Sequence, residues 1–134
     1  VYFNEKEADY VIQESGENYL ETILVLHNKT GFVRSIDVAE ELKYSKASVS
    51  RAMSILKKEN LITIEKSGQI LLTEKGKVKA NEIYERHNTI TDFLVNSLGL
   101  DYDIASTDAC RIEHIISHET FDKIKQYVNK AGGN

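Results

Sequence analysis

Between Asp108 and His118 the sequence reads DACRIEHIISH. On a helix, Cys110, Glu113 and His114 fall at i, i+3 and i+4, so their side chains leave one face within a single turn. A thiolate, a carboxylate and an imidazole brought to one point form half of a transition-metal site. This mixed S, O and N set suits a borderline cation such as Fe(II), Co(II) or Zn(II) better than Mg(II) or Ca(II). Three donors on one helix leave a coordination sphere incomplete, so the remaining ligands must come from elsewhere in the chain. The competing reading is structural. Cysteine is among the most buried residue types, and a C-x-x-E-H pattern on an amphipathic helix often arises without a metal.

The elements that must position these donors are bounded by composition. A chain of 134 residues with 41% hydrophobic and 28% charged residues can bury one core, or a small domain with a helical extension. No apolar run is long enough for a membrane span. The first residues, VYFNEKEADY, lack the basic-then-apolar order of a secretory signal. One cysteine excludes an intramolecular disulfide framework and fits a reducing cytoplasm. The net charge of −4 argues at first against nucleic acid, but its distribution does not. Val33 to Ala80 carries ten Lys or Arg against six Asp or Glu, a net of +4, which leaves −8 for the rest of the chain. A basic middle between acidic flanks is compatible with a DNA-binding face.

Residues 1–16 read as an N-terminal arm of mixed polarity. From Glu17 the periodicity becomes helical, with Tyr19, Leu20, Ile23, Leu24, Leu26 and His27 on one broad face ending near Asn28. Asn18 and Glu21, three apart, share a side of that helix. Ser35 is the expected N-cap for IDVAEEL, with Asp37 favourably placed in the first turn. Lys43 and Tyr44 form a short turn, and Ser45 caps a second helix whose inward stripe is Val49, Ala52, Met53 and Leu56. Lys46, Ala47, Ser48, Ser50, Arg51 and Ser54 are left outward, small and polar near the N-terminus. Two helices joined in this way describe a helix-turn-helix, whose second helix could enter the major groove.

Two β-prone runs, Leu61–Glu65 and Gln69–Leu72, flank Lys66-Ser67-Gly68, a hairpin with glycine where a positive φ is needed. Thr73 then caps a long helix to Leu98, with Ile83, His87, Ile90, Leu94 and Leu98 recurring on one side. Gly99 ends it, LDYD forms a loop, and the helix bearing Cys110 follows. Ser117 or His118 opens a last helix with an apolar edge of Phe121, Ile124, Tyr127 and Val128. The fold expected is mainly α: an N-terminal winged helix-turn-helix over 17–80, then an α-helical domain over 81–134. The apolar faces of the second domain exceed what it can bury alone and point to a homodimer, which suits a palindromic operator in double-stranded DNA.

The order of elements, with ENYLETI, IDVAEEL, SVSRAMSIL, ILLTEKGK and DACRIEH, resembles the diphtheria-toxin-repressor family of metal-dependent transcriptional repressors, including its shorter manganese-transport-regulator branch. The likeness runs from Glu17 to about Val128, and the family's optional SH3-like third domain has no counterpart within it. The resemblance implies a metal site from Asn18 and Glu21 in ENYLE, His87 in ERHN, and Cys110, Glu113 and His114, which carries the first helix's donors to those of the dimerisation domain. It also implies DNA-facing roles for Ser45, Ala47, Ser48, Ser50 and Arg51; Lys46 and Lys66 are expected at phosphates. The implied cofactor is Fe(II) or Mn(II), with Co(II), Ni(II) or Zn(II) able to substitute in vitro.

Departures from the family pattern carry information. Manganese-type members usually have Asp at the position of Asn18, and iron-type members have Met. Cys110 is an iron-type feature and Glu21 a manganese-type one. Thr91 and Ser106 stand where iron-type members have acidic and imidazole ligands of a second site, which is therefore expected to be degraded. The thiolate favours Fe(II), since Mn(II) sits at the weak end of the affinity series. Two other readings fit parts of the sequence. One is a winged-helix regulator sensing redox state or another ligand through Cys110. The other is an enzyme with Cys110 as nucleophile and His114 or His118 as base, which lacks an oxyanion-stabilising turn and leaves the DNA reader unexplained. No membrane partner and no small organic substrate is expected.

Overall fold

The computed structural model describes the backbone of residues 5–132 and the side chains of residues 16–131. Residues 1–4, at the start of the expected arm, lie outside the described residues. Six helices and a two-stranded sheet follow in the order α1 (Glu5–Thr30), α2 (Ser35–Leu42), α3 (Lys46–Lys58), β1 (Ile62–Ile64), β2 (Ile70–Leu72), α4 (Glu74–Leu98), α5 (Tyr102–Ile115) and α6 (His118–Gly132). They divide into two compact units, 1–81 and 82–134. The chain crosses from one to the other within α4.

In the first unit α1 packs on α2, α3 and β2, and α3 packs on α2 and β1. Its core holds Tyr19, Leu20 and Ile23 of α1 with Val38, Val49, Met53 and Leu56 of the helix-turn-helix, and Ile62 and Ile70 of the hairpin. The helix α1 starts well before the apolar face that begins at Tyr19, because extending a formed helix needs only one further residue fixed per hydrogen bond. It also runs to Thr30, past Asn28, before Gly31 takes φ +78° and donates its N–H to the His27 carbonyl at 2.8 Å.

The N-cap of α2 is Arg34 and not Ser35. The Asp37 carboxylate accepts the Arg34 N–H at 2.8 Å, so the third helical residue closes the terminus and Ser35 becomes the first residue of the helix. Lys43 then adopts a left-handed conformation, φ 57°, and turns the chain toward α3. Tyr44 in this turn meets Tyr19 edge to face, with ring centroids 5.9 Å apart, which ties the turn to α1. Ser45 caps α3 as expected, its hydroxyl accepting the Ser48 N–H at 3.2 Å.

The hairpin pairs Ile62 with Leu72 and Ile64 with Ile70 in antiparallel register, and Gly68 takes the expected positive φ at +89°. Thr73 then accepts the Gly76 N–H at 3.0 Å and donates to the Asn60 carbonyl at 2.7 Å, joining the start of α4 to the exit of α3.

The second unit has its own core of Ile90, Leu94, Ala105, Ala109 and Phe121. Leu98, expected on the inner stripe of α4, is 61% exposed. A stripe repeating every three or four residues drifts around a straight helix, and by Leu98 its last member has left the buried side. Gly99, φ +69°, closes α4 with Gly99 N–H on Val95 O and Leu100 N–H on Leu94 O, both 3.1 Å. The loop is shorter than LDYD, since α5 already starts at Tyr102. Ser117 caps α6 by accepting the Thr120 N–H at 3.1 Å. Phe121 is buried, Ile124 and Val128 are half-buried, and Tyr127 is exposed.

Candidate functional site

Helices α4 and α5 bring three different donors together in the second unit. His87 lies four residues beyond the buried Ile83 and three before the buried Ile90, so it shares their face of α4. Its Nδ1 lies 2.9 Å from Glu113 Oε2 and 3.6 Å from Cys110 Sγ. The donor atoms of His87, Cys110 and Glu113 all fall within 4.8 Å of one another. Metal–N and metal–O bonds of about 2.0–2.2 Å and metal–S bonds of about 2.3 Å give polyhedron edges of roughly 3–3.6 Å. The two contacts to His87 already have such lengths, and the donor set fits a borderline transition metal.

Glu113 is fully buried, and its second oxygen, Oε1, lies 3.2 Å from His114 Nε2. The carboxylate thus stands between two imidazoles, His87 on one oxygen and His114 on the other. Cys110 is exposed, so the cluster opens to solvent on the thiol side. The Arg86 guanidinium donates through Nη1 to the Glu113 backbone carbonyl at 2.9 Å and lies over Phe121, 5.1 Å from the ring centroid. This holds the C-terminal turn of α5 on α4 and α6.

Sequence reasoning missed the part played by two hydroxyls. Ser106 Oγ lies 3.3 Å from His87 Nε2, and Thr91 Oγ1 donates to the His87 carbonyl at 2.7 Å. The available signal was spacing: Ser106 precedes Cys110 by four residues on α5, and Thr91 follows His87 by four on α4.

Of the other expected ligands, Glu21 is buried and Asn18 half-buried, both on α1 of the first unit and one turn apart. The Asn18 backbone carbonyl accepts the Thr22 hydroxyl at 2.8 Å.

Without a metal, the His87 imidazole is pushed up to about 10, first by its hydrogen bond to Cys110 and then by that to Glu113 and its charge, against the opposing effect of burial. In the metal-free fold this raised value favours the imidazolium. Its stabilising contribution is complete below the ordinary histidine value of about 6.5 and is lost as pH rises through about 10. A metal taken by Nδ1 would have to displace that proton. Metal affinity is therefore expected to rise by about tenfold per pH unit from this residue alone between pH 7 and 9. Co(II) titrations at buffered pH steps check this; a flat profile would show that His87 carries no displaced proton.

On the first unit, Lys46, Ala47, Ser48, Ser50 and Arg51 of α3 are all exposed, and Lys66 is exposed in the wing turn. Ser45 and Ser48 are partly engaged with each other, their hydroxyls 2.9 Å apart. The face is therefore a small, polar helix N-terminus with one long cationic fork, Arg51, a surface that can approach base edges.

A helix-turn-helix with a wing, followed by a helical unit carrying an N, S and O donor cluster, defines the class of metal-responsive DNA-binding regulators. Residues 12–70 match the iron dependent repressor N-terminal DNA binding domain, and residues 73–132 match the iron dependent repressor metal binding and dimerisation domain. The chain belongs to the iron-dependent repressor family, whose members are metal-dependent, DNA-binding transcriptional repressors and not enzymes. It is 33% identical over 120 residues to an uncharacterized HTH-type transcriptional regulator of Methanocaldococcus jannaschii, covering 89% of this chain and 96% of that one. Among solved structures it is similar to the manganese regulator SloR, with TM-score 0.75 and 29% identity over 85% of this chain and 53% of that one. It is likewise similar to a manganese-dependent transcriptional repressor in complex with manganese, with TM-score 0.79 and 25% identity over 85% of this chain and 52% of that one. The chain thus spans about half the length of these two solved regulators. Among the described residues, no helix is long and apolar enough to cross a membrane.

Proposed function

We propose that the protein represses metal-homeostasis genes with Fe(II), in preference to Mn(II), as corepressor, acting as a homodimer on a palindromic operator in the cytoplasm. The observation that carries this reading is the His87–Cys110–Glu113 cluster, whose thiolate favours Fe(II) over the more weakly bound Mn(II). His87, Cys110, Glu113 and His114 supply ligands from the second unit, and Glu21 and Asn18 from the first. A metal holding donors of both units links metal concentration to the placement of α3 on DNA. A hundredfold gain in operator affinity requires about 2.7 kcal/mol of metal preference for the DNA-competent form.

Titration of the apo-protein with Co(II) under anaerobic conditions, beside C110A, tests this. A saturable near-UV thiolate–cobalt band in the parent that is absent from the variant supports the iron-type centre. Binding without that band moves the centre to the O and N donors and favours Mn(II), as in the similar manganese regulator SloR and the manganese-dependent repressor. No binding would leave the exposed Cys110 beside His87 as a redox sensor on the same DNA reader.

In the reader, Ser45, Ala47, Ser48, Ser50 and Arg51 face the bases, and Lys46 and Lys66 the phosphates. R51A is expected to cost about 1–3 kcal/mol at the cognate operator and to relax base preference at one position of each half-site. Fluorescence anisotropy on the operator and single-base variants measures it. A uniform loss across all sequences would make Arg51 a phosphate contact instead.

A further inference from the structure

We infer that Ser106 is a positioning residue of the metal centre, fixing His87 so that Nδ1, and not Nε2, faces the metal. The inference rests on the ligand set proposed above. A neutral imidazole carries one N–H and one lone pair, and a metal at one nitrogen requires the proton on the other. Here Nδ1 points to Cys110 and Glu113, at 3.6 and 2.9 Å, while Nε2 has the Ser106 hydroxyl at 3.3 Å. A serine oxygen accepts an N–H, so with a metal on Nδ1 the Nε2 proton has its acceptor in place. Thr91, buried at 3% exposure, fixes the ring's root by donating to the His87 carbonyl at 2.7 Å. Its hydroxyl proton is directed at the backbone. The two hydroxyls therefore hold the outer side of the His87 ring and its root.

Ser106 and Cys110 are one turn apart on α5, so the helix that contributes the thiolate also sets the orientation of the imidazole across from it. Outer hydrogen bonds of this kind change metal affinity by roughly 10–100-fold when removed.

The test uses the full chain loaded with Zn(II), which is diamagnetic, and long-range proton–nitrogen correlation spectra of the His87 ring. Parallel Co(II) titrations compare the parent, S106A and S106T. The expected result is a metal-bound Nδ1 and a protonated Nε2 in the parent, a roughly 10–100-fold weaker Co(II) affinity in S106A, and recovery in S106T, which restores a hydroxyl. The cobalt–thiolate band of Cys110 should persist in S106A at saturation. Ligation through Nε2 in the parent overturns the inference without any variant being needed. An S106A affinity equal to the parent's, with the thiolate band intact, overturns it while leaving the metal centre standing. Failure of the parent to bind either metal removes both the centre and the inference.

Discussion

Substitution of Glu113 by alanine is expected to reduce metal affinity by more than a hundredfold and to destabilise the metal-free second unit at the same time. The affinity loss exceeds the roughly 10–100-fold that follows removal of an outer hydrogen bond, because a donor in direct reach of the metal is lost. The stability loss has a separate origin. Glu113 is fully buried, and its two oxygens face His87 at 2.9 Å and His114 at 3.2 Å. Truncating one member of a buried charged pair costs about 3–5 kcal/mol. Cys110, 3.6 Å from His87 Nδ1, remains as a partner of the imidazole when the carboxylate is gone, which holds the cost toward the lower end of that range. E113Q separates the two effects, since the amide keeps the volume and an acceptor oxygen but lacks the charge. It should recover most of the stability and little of the metal affinity. Urea unfolding of the metal-free proteins and Co(II) titration of all three measure both quantities. Metal affinity within tenfold of the parent in E113A would place the metal elsewhere.

The reader was legible in the sequence because each of its parts is specified locally. Val49, Met53 and Leu56 repeat at helical spacing and are buried, Ser45 is a competent cap, and Gly68 sits where the wing turns through positive φ. The donors Cys110 and Glu113 were legible for the same reason, being one turn apart on one helix. His87 came from the family resemblance, since on periodicity alone it reads as a core histidine of α4. What spacing could not give is the division of labour within the cluster. His114 meets one oxygen of Glu113 within α5, while Cys110 and the other Glu113 oxygen meet His87, an outcome set by how α4 lies against α5 and not by either helix alone. Ser106 and Thr91 were read only as missing ligands, because a hydroxyl's hydrogen-bond partner depends on what lies opposite it. Arg34 displaced Ser35 as a cap because the Asp37 carboxylate competes for the free N–H, a choice that intrinsic cap preference alone misjudges.

The other large effect is expected at a residue with no chemistry. A Cβ built on Gly76, in the first turn of α4, would lie 2.0 Å from the Leu61 carbonyl oxygen and 3.0 Å from its carbon. Both are backbone atoms, so no rotamer relieves the overlap; either α4 or the exit of α3 must move. That exit is already constrained: Asn60 takes φ 62°, Leu61 N–H bonds Leu56 O at 3.0 Å, and the Leu61 carbonyl itself accepts the Thr73 N–H at 3.0 Å. Overpacking that side chains can absorb costs about 1–3 kcal/mol, and a backbone collision belongs at or above the top of that range. Against a typical domain stability of about 5–15 kcal/mol, G76A should lower the urea midpoint of the DNA-binding unit severely. G31A is the matched control. Gly31 has φ +78° but nothing within 4 Å of an added Cβ, so only the left-handed strain of about 1–2 kcal/mol applies. If crowding at Leu61 governs, G76A must be the more destabilised by circular dichroism, and it must lose operator binding because the wing is anchored at that junction. Equal losses in the two variants would mean that the backbone yields there at little cost, and that the start of α4 does not fix where the wing stands beside α3.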